Sequence, residues 1–282
     1  MEIKLMKLLT FALAIGLTAS AASATPFYVG QNIRPQNNIT LEFQDTMTKK
    51  LGAREKGNIA SFELKADFTP IENVSVGATL PFYMANKKVL SAASGKNAIG
   101  NMGLSIGFGQ ALSDSSDSMS WGYTASMHAF MPTSRNAEGS TIAAVNPTTD
   151  FYQYNPKTTT FAPTFGVFAE NEMMMIKANL GYGWSYISDG AGSSDKNRNT
   201  FTWQAAASWK ALPNLSANLE YNNILFDKAT AGAGKKWKHA VAPSISGNFG
   251  PVLTSAFVSL PLDKTTRDFH NVAFGANLGY LF

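Results

Sequence analysis

The chain has 282 residues, of which 15% are charged and 12% aromatic, and its formal charge is +4. A typical soluble domain carries roughly 25% charged residues, so apolar and polar residues are finely mixed here, and so small a net charge leaves no footprint for a nucleic-acid partner. Cysteine is absent, which excludes a disulfide framework, thiolate chemistry and any cysteine-based metal site.

The first 24 residues read as a secretory signal peptide: Lys4 and Lys7, an apolar run from Leu8 to Leu17, then the small-residue close Ala22-Ser23-Ala24. A membrane anchor needs about 20 apolar residues, and this run is shorter. Residues 25–37 follow as an N-terminal extension, and residues 38–282 as one all-β unit. Beyond the signal no continuous apolar stretch is long enough for a membrane helix. The mature chain is therefore either soluble and exported or a membrane β-barrel.

Period-2 alternation bounded by turn residues predicts about twelve strands, at roughly 38–49, 58–69, 74–85, 101–112, 119–132, 158–170, 173–188, 199–212, 215–227, 237–249, 253–263 and 268–282. No helical period is expected after the signal. The connections alternate in length. Short ones run through Pro70-Ile71-Glu72-Asn73, Asp114 to Ser118, Glu170-Asn171-Glu172, Pro213-Asn214 and Gly250-Pro251, and between them lie long loops such as 133–157. A soluble sandwich has no reason to sort its loops this way, whereas an outer-membrane barrel keeps short turns on the periplasmic side and long loops outside.

Parity separates two faces. Phe201, Trp203, Ala205, Ala207 and Trp209 share one side of their strand, against Thr202, Gln204, Ala206, Ser208 and Lys210 on the other. The polar side is rich in Gly, Ser, Thr and Asn, thin cover for a solvated exterior but suited to a watery lumen. On the apolar side, Trp and Tyr gather near strand ends, as at Trp121, Trp184, Trp209 and Tyr280, where an interfacial girdle places them.

The last strand, FHNVAFGANLGYLF, ends on Phe282 with Tyr280 two residues before it. This resembles the C-terminal assembly signal of bacterial outer-membrane β-barrels. The resemblance implies a transmembrane up-and-down antiparallel barrel in the outer membrane of a Gram-negative cell, in contact with outer-membrane lipids and lipopolysaccharide. It also implies recognition by the barrel assembly machinery through Tyr280 and Phe282. A second likeness is to the MetA-pathway phenol-degradation family of outer-membrane transporters: LPFY at 80–83 followed by IGNMGLSIGFG at 99–109 is similar to that family's strand, loop and glycine-spaced strand. That family usually shows Asp where this chain has Asn101.

The ionisable residues on the inner parity are the expected pore lining: Glu42, Glu63, Lys65 and Asp67 from the first two strands, His128, and Lys177, Lys210 and Glu220 from strands seven to nine. The two charged groups lie half a circumference apart, in the periplasmic half of the lumen by residue count. Either an acid-weighted wall faces a base-weighted one, giving a transverse field at a constriction or a salt-bridge network that closes the lower lumen, or each group is neutralised by its strand neighbours.

No catalytic residue, cofactor or metal cluster is expected. Asp268-Phe269-His270 is similar to the Asp-x-His pair of omptin-type proteases, but strand parity puts Asp268 and His270 on the lipid side at the outer interface, and His270 and His239 read as interfacial residues. Loop 133–157, with Phe151, Tyr152 and Tyr154, either folds into the mouth, touches a sugar or partner through those rings, or moves on the surface. The expected function is a channel or transporter passing a small-molecule solute by passive diffusion. Two alternatives stay open: a structural or surface-binding barrel with a closed lumen, and an outer-membrane hydrolase.

Overall fold

The computed structural model describes residues 35–50, 57–85, 98–112, 119–134, 151–188, 197–227 and 237–282. The proposed signal peptide and most of the N-terminal extension lie outside them. Twelve antiparallel strands form one closed sheet. They are β1 (Asn38–Thr48), β2 (Gly57–Ile71), β3 (Val74–Ala85), β4 in two pieces (Ala98–Ile99 and Gly103–Ala111), β5 (Ser120–Phe130), β6 (Thr158–Glu170), β7 (Met174–Ile187), β8 (Asn197–Leu212), β9 (Leu215–Phe226), β10 (Trp237–Phe249), β11 (Val252–Pro261) and β12 (His270–Leu281).

Each strand pairs with its neighbours in sequence, and β1 pairs with β12 from Asn38↔Leu281 to Thr48↔His270. The ring therefore has no open edge. Within hydrocarbon, unpaired backbone N–H and C=O groups each cost several kcal/mol, so closure is what permits strands to span a membrane. No helix among the described residues is long and apolar enough to do so.

The burial pattern is inverted relative to a water-soluble sandwich. Lys177 and Glu220 are 1% and 0% exposed, whereas Trp121 and Trp209 are 59% and 56% exposed. On β1, Ile39, Leu41 and Phe43 face outward while Asn38, Glu42 and Gln44 are buried within. A wide apolar exterior would drive aggregation in water, and buried charges are costly unless paired or hydrated. Both are what a lipid-facing wall around a polar interior requires.

At one end the strands are joined by tight turns, two of which need a left-handed residue: Asn73 (φ 65°) between β2 and β3, and Gly250 (φ 67°) between β10 and β11. The opposite strand ends are those separated by the longer intervals of sequence. Two short helices stand there, α1 (Phe151–Tyr154) and α2 (Lys264–Phe269), where the sequence predicted none. Helix α2 is capped by Asp263, whose carboxylate accepts from Thr266 N–H at 2.7 Å.

Two departures from simple alternation matter. The fourth strand, expected to run unbroken over 101–112, is interrupted: Ala98–Ile99 pairs with Phe82 and Tyr83, while Gly103–Ala111 begins only opposite Thr79. In the last strand, Met47 pairs with Val272 but Thr48 pairs with His270, so Asn271 is an extra residue. That bulge reverses the facing of His270, the one strand residue before it. His270, expected on the lipid side, is instead 1% exposed on the inner face beside buried Thr48, while Asp268 is exposed on α2. The Asp-x-His pair is thereby not presented on one face.

Candidate functional site: a polar lumen with an aromatic segment in its mouth

The inner wall in the middle of the barrel is built from short polar side chains and a few charges. Glu42 sits directly opposite Glu63 across the β1–β2 ladder. Two carboxylates so placed would repel, and Lys65 relieves this by reaching both, at 3.2 Å from Glu42 and 2.9 Å from Glu63. Asp67 belongs to the next row, which runs through Gly77 and Ser105 to His128. A side chain on Gly77 would collide with the Asp67 carboxylate, so the small residue leaves that carboxylate its place. His128 bonds Ser126 at 3.1 Å and stacks on Phe130.

On the opposite wall Lys177, Ala206 and Glu220 form one row, with Ala206 between the two charges. Glu220 is the charged group that acts on Lys177. Lys210 is separate from them, half-exposed at the turn end, where its N–H donates to Met173 O. Seven of the expected lining residues thus fall into local groups, and each wall carries its own counter-charge. A further polar set, Ser208, Asn218, Ser244 and Ser246, is tied together through the Asn218 amide at 2.6 to 3.1 Å.

The loop end is different in character. Helix α1 lies inside the barrel with all four of its residues buried. Phe151 meets Phe226 edge-on at 4.8 Å, Tyr152 lies 5.8 Å from Phe130, and Tyr154 meets Tyr83 at 5.8 Å. These partners come from β9, β5 and β3, so the segment bridges the mouth from wall to wall. With Ile59, Ala162 and Ile224 they form the largest apolar cluster among the described residues, and Phe269 of α2 packs against it.

Room for this insertion is carved from the wall. A Cβ on Gly183 would strike the Tyr152 hydroxyl and the Thr200 hydroxyl. Those two hydroxyls bond each other instead. Burial pushes the Tyr152 hydroxyl up to about 12, so it stays a neutral hydrogen-bonding group at any physiological pH.

Beside the cluster, Lys238 lies over the Phe226 ring at 5.6 Å. The Asp263 carboxylate, which acts on both Lys238 and His270, also accepts from His239 N–H at 3.1 Å. His239 itself is on the outer face, where the Tyr221 hydroxyl meets its Nδ1 at 2.8 Å. No grouping of three or more histidines and carboxylates with metal-binding geometry occurs among the described residues.

No family model and no curated protein matches the sequence. Among solved structures the chain is similar to the NanC porin, at 9% identity, with 87% of this chain and 100% of that chain covered and a TM-score of 0.53. It is also similar to the KdgM porin solved with oligogalacturonate, at 9% identity over 86% and 99% of the two chains with a TM-score of 0.46. The translocator domain of the autotransporter NalP from Neisseria meningitidis aligns at 13% identity over 100% and 98%, with a TM-score of 0.45. At these identities the likeness to the NanC porin is one of fold: a closed antiparallel β-barrel.

Proposed function

We propose that the protein is an outer-membrane channel for small solutes, crossed by passive diffusion and narrowed at its outer mouth by residues 151–154. The observation that carries this reading is the inversion of polarity: Lys177, Glu220 and Glu63 are buried inside a ring whose exterior is Trp, Phe, Leu and Ile. In this reading residues 1–24 direct export, and Tyr280 and Phe282 are read by the assembly machinery. The turn end faces the periplasm and the loop end faces the medium, and the exterior belt contacts outer-membrane lipid and lipopolysaccharide.

Glu42, Glu63, Lys65, Asp67, His128, Lys177, Lys210 and Glu220 line the path in this proposal and set its ion preference. Lys65 is the sensitive member because it neutralises two opposed carboxylates. Replacing it by methionine is expected to shift the reversal potential under a salt gradient toward cations. An unchanged potential would mean that Glu42 and Glu63 do not border the permeation path.

The aromatic filling of the mouth favours one competing reading, a surface-binding barrel with a permanently closed lumen. Purified protein in planar bilayers separates the two. Discrete current steps support the channel. Silence of the wild type and of a variant lacking the aromatic ring contacts would favour the closed barrel.

A further inference from the structure

The break in β4 is occupied. Gly100 N–H still donates to Pro81 O of β3 at 2.8 Å, but at Asn101 and Met102 the wall stops pairing with β3, and their groups are turned to residues 131–134 and 152–155 instead. The Asn101 amide Nδ2 donates to Tyr152 O at 3.0 Å and to Asn155 O at 2.6 Å, and its backbone N–H donates to Gln153 O. Its Oδ1 accepts from Ser134 N–H at 3.1 Å. One residue of the wall therefore ties segment 152–155 to Ser134.

Thr133 strengthens the grip: its hydroxyl donates to Gly100 O at 2.7 Å and accepts from Met102 N–H at 2.8 Å. Gly100 is small for a reason, since a Cβ there would come within 2.6 Å of Gln153 O and 2.8 Å of Pro81 Cγ. The position also demands an amide specifically. A carboxylate could accept from Ser134 but would face the carbonyls of Tyr152 and Asn155 with no proton to offer. That accounts for Asn rather than Asp at 101.

We infer that Asn101 is a latch: it is the positioning residue that holds segment 151–155 as a removable stopper, and its release opens the loop end of the lumen. The physical argument is that the β-ladder is already interrupted where the stopper docks. Withdrawing α1 breaks the Asn101 bonds and parts the aromatic rings, but costs no strand pairing, and the released carbonyls can be hydrated. The barrel stays closed on itself while its mouth changes state. Loss of the latch shifts a local equilibrium and leaves the global fold intact.

The consequence for current rests on the proposed channel function, whereas the latch itself does not, so two readouts are used. Because the chain contains no cysteine, Gln153→Cys places a single reporter on α1, at a side chain outside the aromatic cluster. Its labelling by a bulky impermeant maleimide is followed in liposomes, for protein whose gel mobility still changes on heating. Asn101→Asp and Asn101→Ala both remove the two amide bonds to Tyr152 O and Asn155 O, and each is expected to speed labelling by about tenfold or more. Thr133→Val should give a smaller gain, and serves if neither Asn101 variant folds. Unchanged labelling in the folded variants would overturn the latch. Faster labelling with larger conductance supports both the latch and the channel, and faster labelling without any current supports the latch while overturning the channel.

Discussion

Replacing Gly275 by valine should leave most of the chain unable to close its barrel, seen as loss of the heat-modifiable band on a detergent gel. Gly275 stands in β12 opposite Gln44 on one side and Phe257 on the other. The Phe257 ring lies across the space where a side chain would be, and the backbone carbonyl of Phe43 stands 2.7 Å from the same point. Phe257 is 3% exposed and packs on Ala242, so its ring has little room to swing away. Overpacking of this kind costs typically 1–3 kcal/mol, and here it falls next to the β1–β12 seam, the last pairing of a chain-ordered sheet. The double variant Gly275→Ala, Phe257→Ala should recover folded protein that Gly275→Ala alone loses. If Gly275→Ala folds as well as the parent, the ring is not confined as described.

The second large effect concerns the mouth. Changing Phe151 to alanine removes the edge-on contact with Phe226 and opens a void in the largest apolar cluster. Buried Phe-to-Ala changes cost about 3–5 kcal/mol when the cavity cannot collapse. In this protein the loss should fall on the local docking of α1, because the strands around it are paired independently of it. Conductance should rise, while the temperature at which the barrel loses its compact gel mobility should barely move. Gly183→Val is expected to do the same from the wall side, by evicting the Tyr152 hydroxyl. A fall in barrel stability matching the cluster loss would show that α1 is a structural core element instead of a stopper.

Much of this architecture is legible in the sequence. Alternation of faces located all twelve strands to within a few residues, because a wall that is polar inside and greasy outside must alternate wherever it spans. Parity also assigned the facing of Glu42, Glu63, Lys177 and Glu220 correctly. What alternation could not carry are the places where the period is broken on purpose. The bulge at Asn271 shifts His270 to the inner face with no mark in composition, since the extra residue is itself polar and fits either side. The interruption at 100–102 sits within IGNMGLSIGFG, whose glycines read as small lumenal residues, and the partners that justify the break lie some fifty residues later in the chain.

Helix α1 was hidden for a related reason. Its four residues, FYQY, have no amphipathic stripe to detect, because the lumen buries them on every side. The aromatic residues of loop 133–157 were a visible signal, and their destination was not. Charge grouping was visible only in outline: the two walls were found, but the bridging of two carboxylates by Lys65 requires knowing that Glu42 and Glu63 share a row. Register, which sequence parity leaves open by even steps, decides such pairings.

The central claim is the proposed channel: a polar lumen narrowed at its outer mouth by an aromatic segment, passing small solutes more freely when that segment yields. The most direct measurement is single-channel current from purified wild-type protein and from the Phe151→Ala, Tyr152→Ala, Tyr154→Ala triple variant, in the same planar bilayer and salt. The account predicts small or intermittent steps from the wild type and larger, longer-lived steps from the variant. Equal currents from the two proteins, or no current from a folded triple variant, would contradict it.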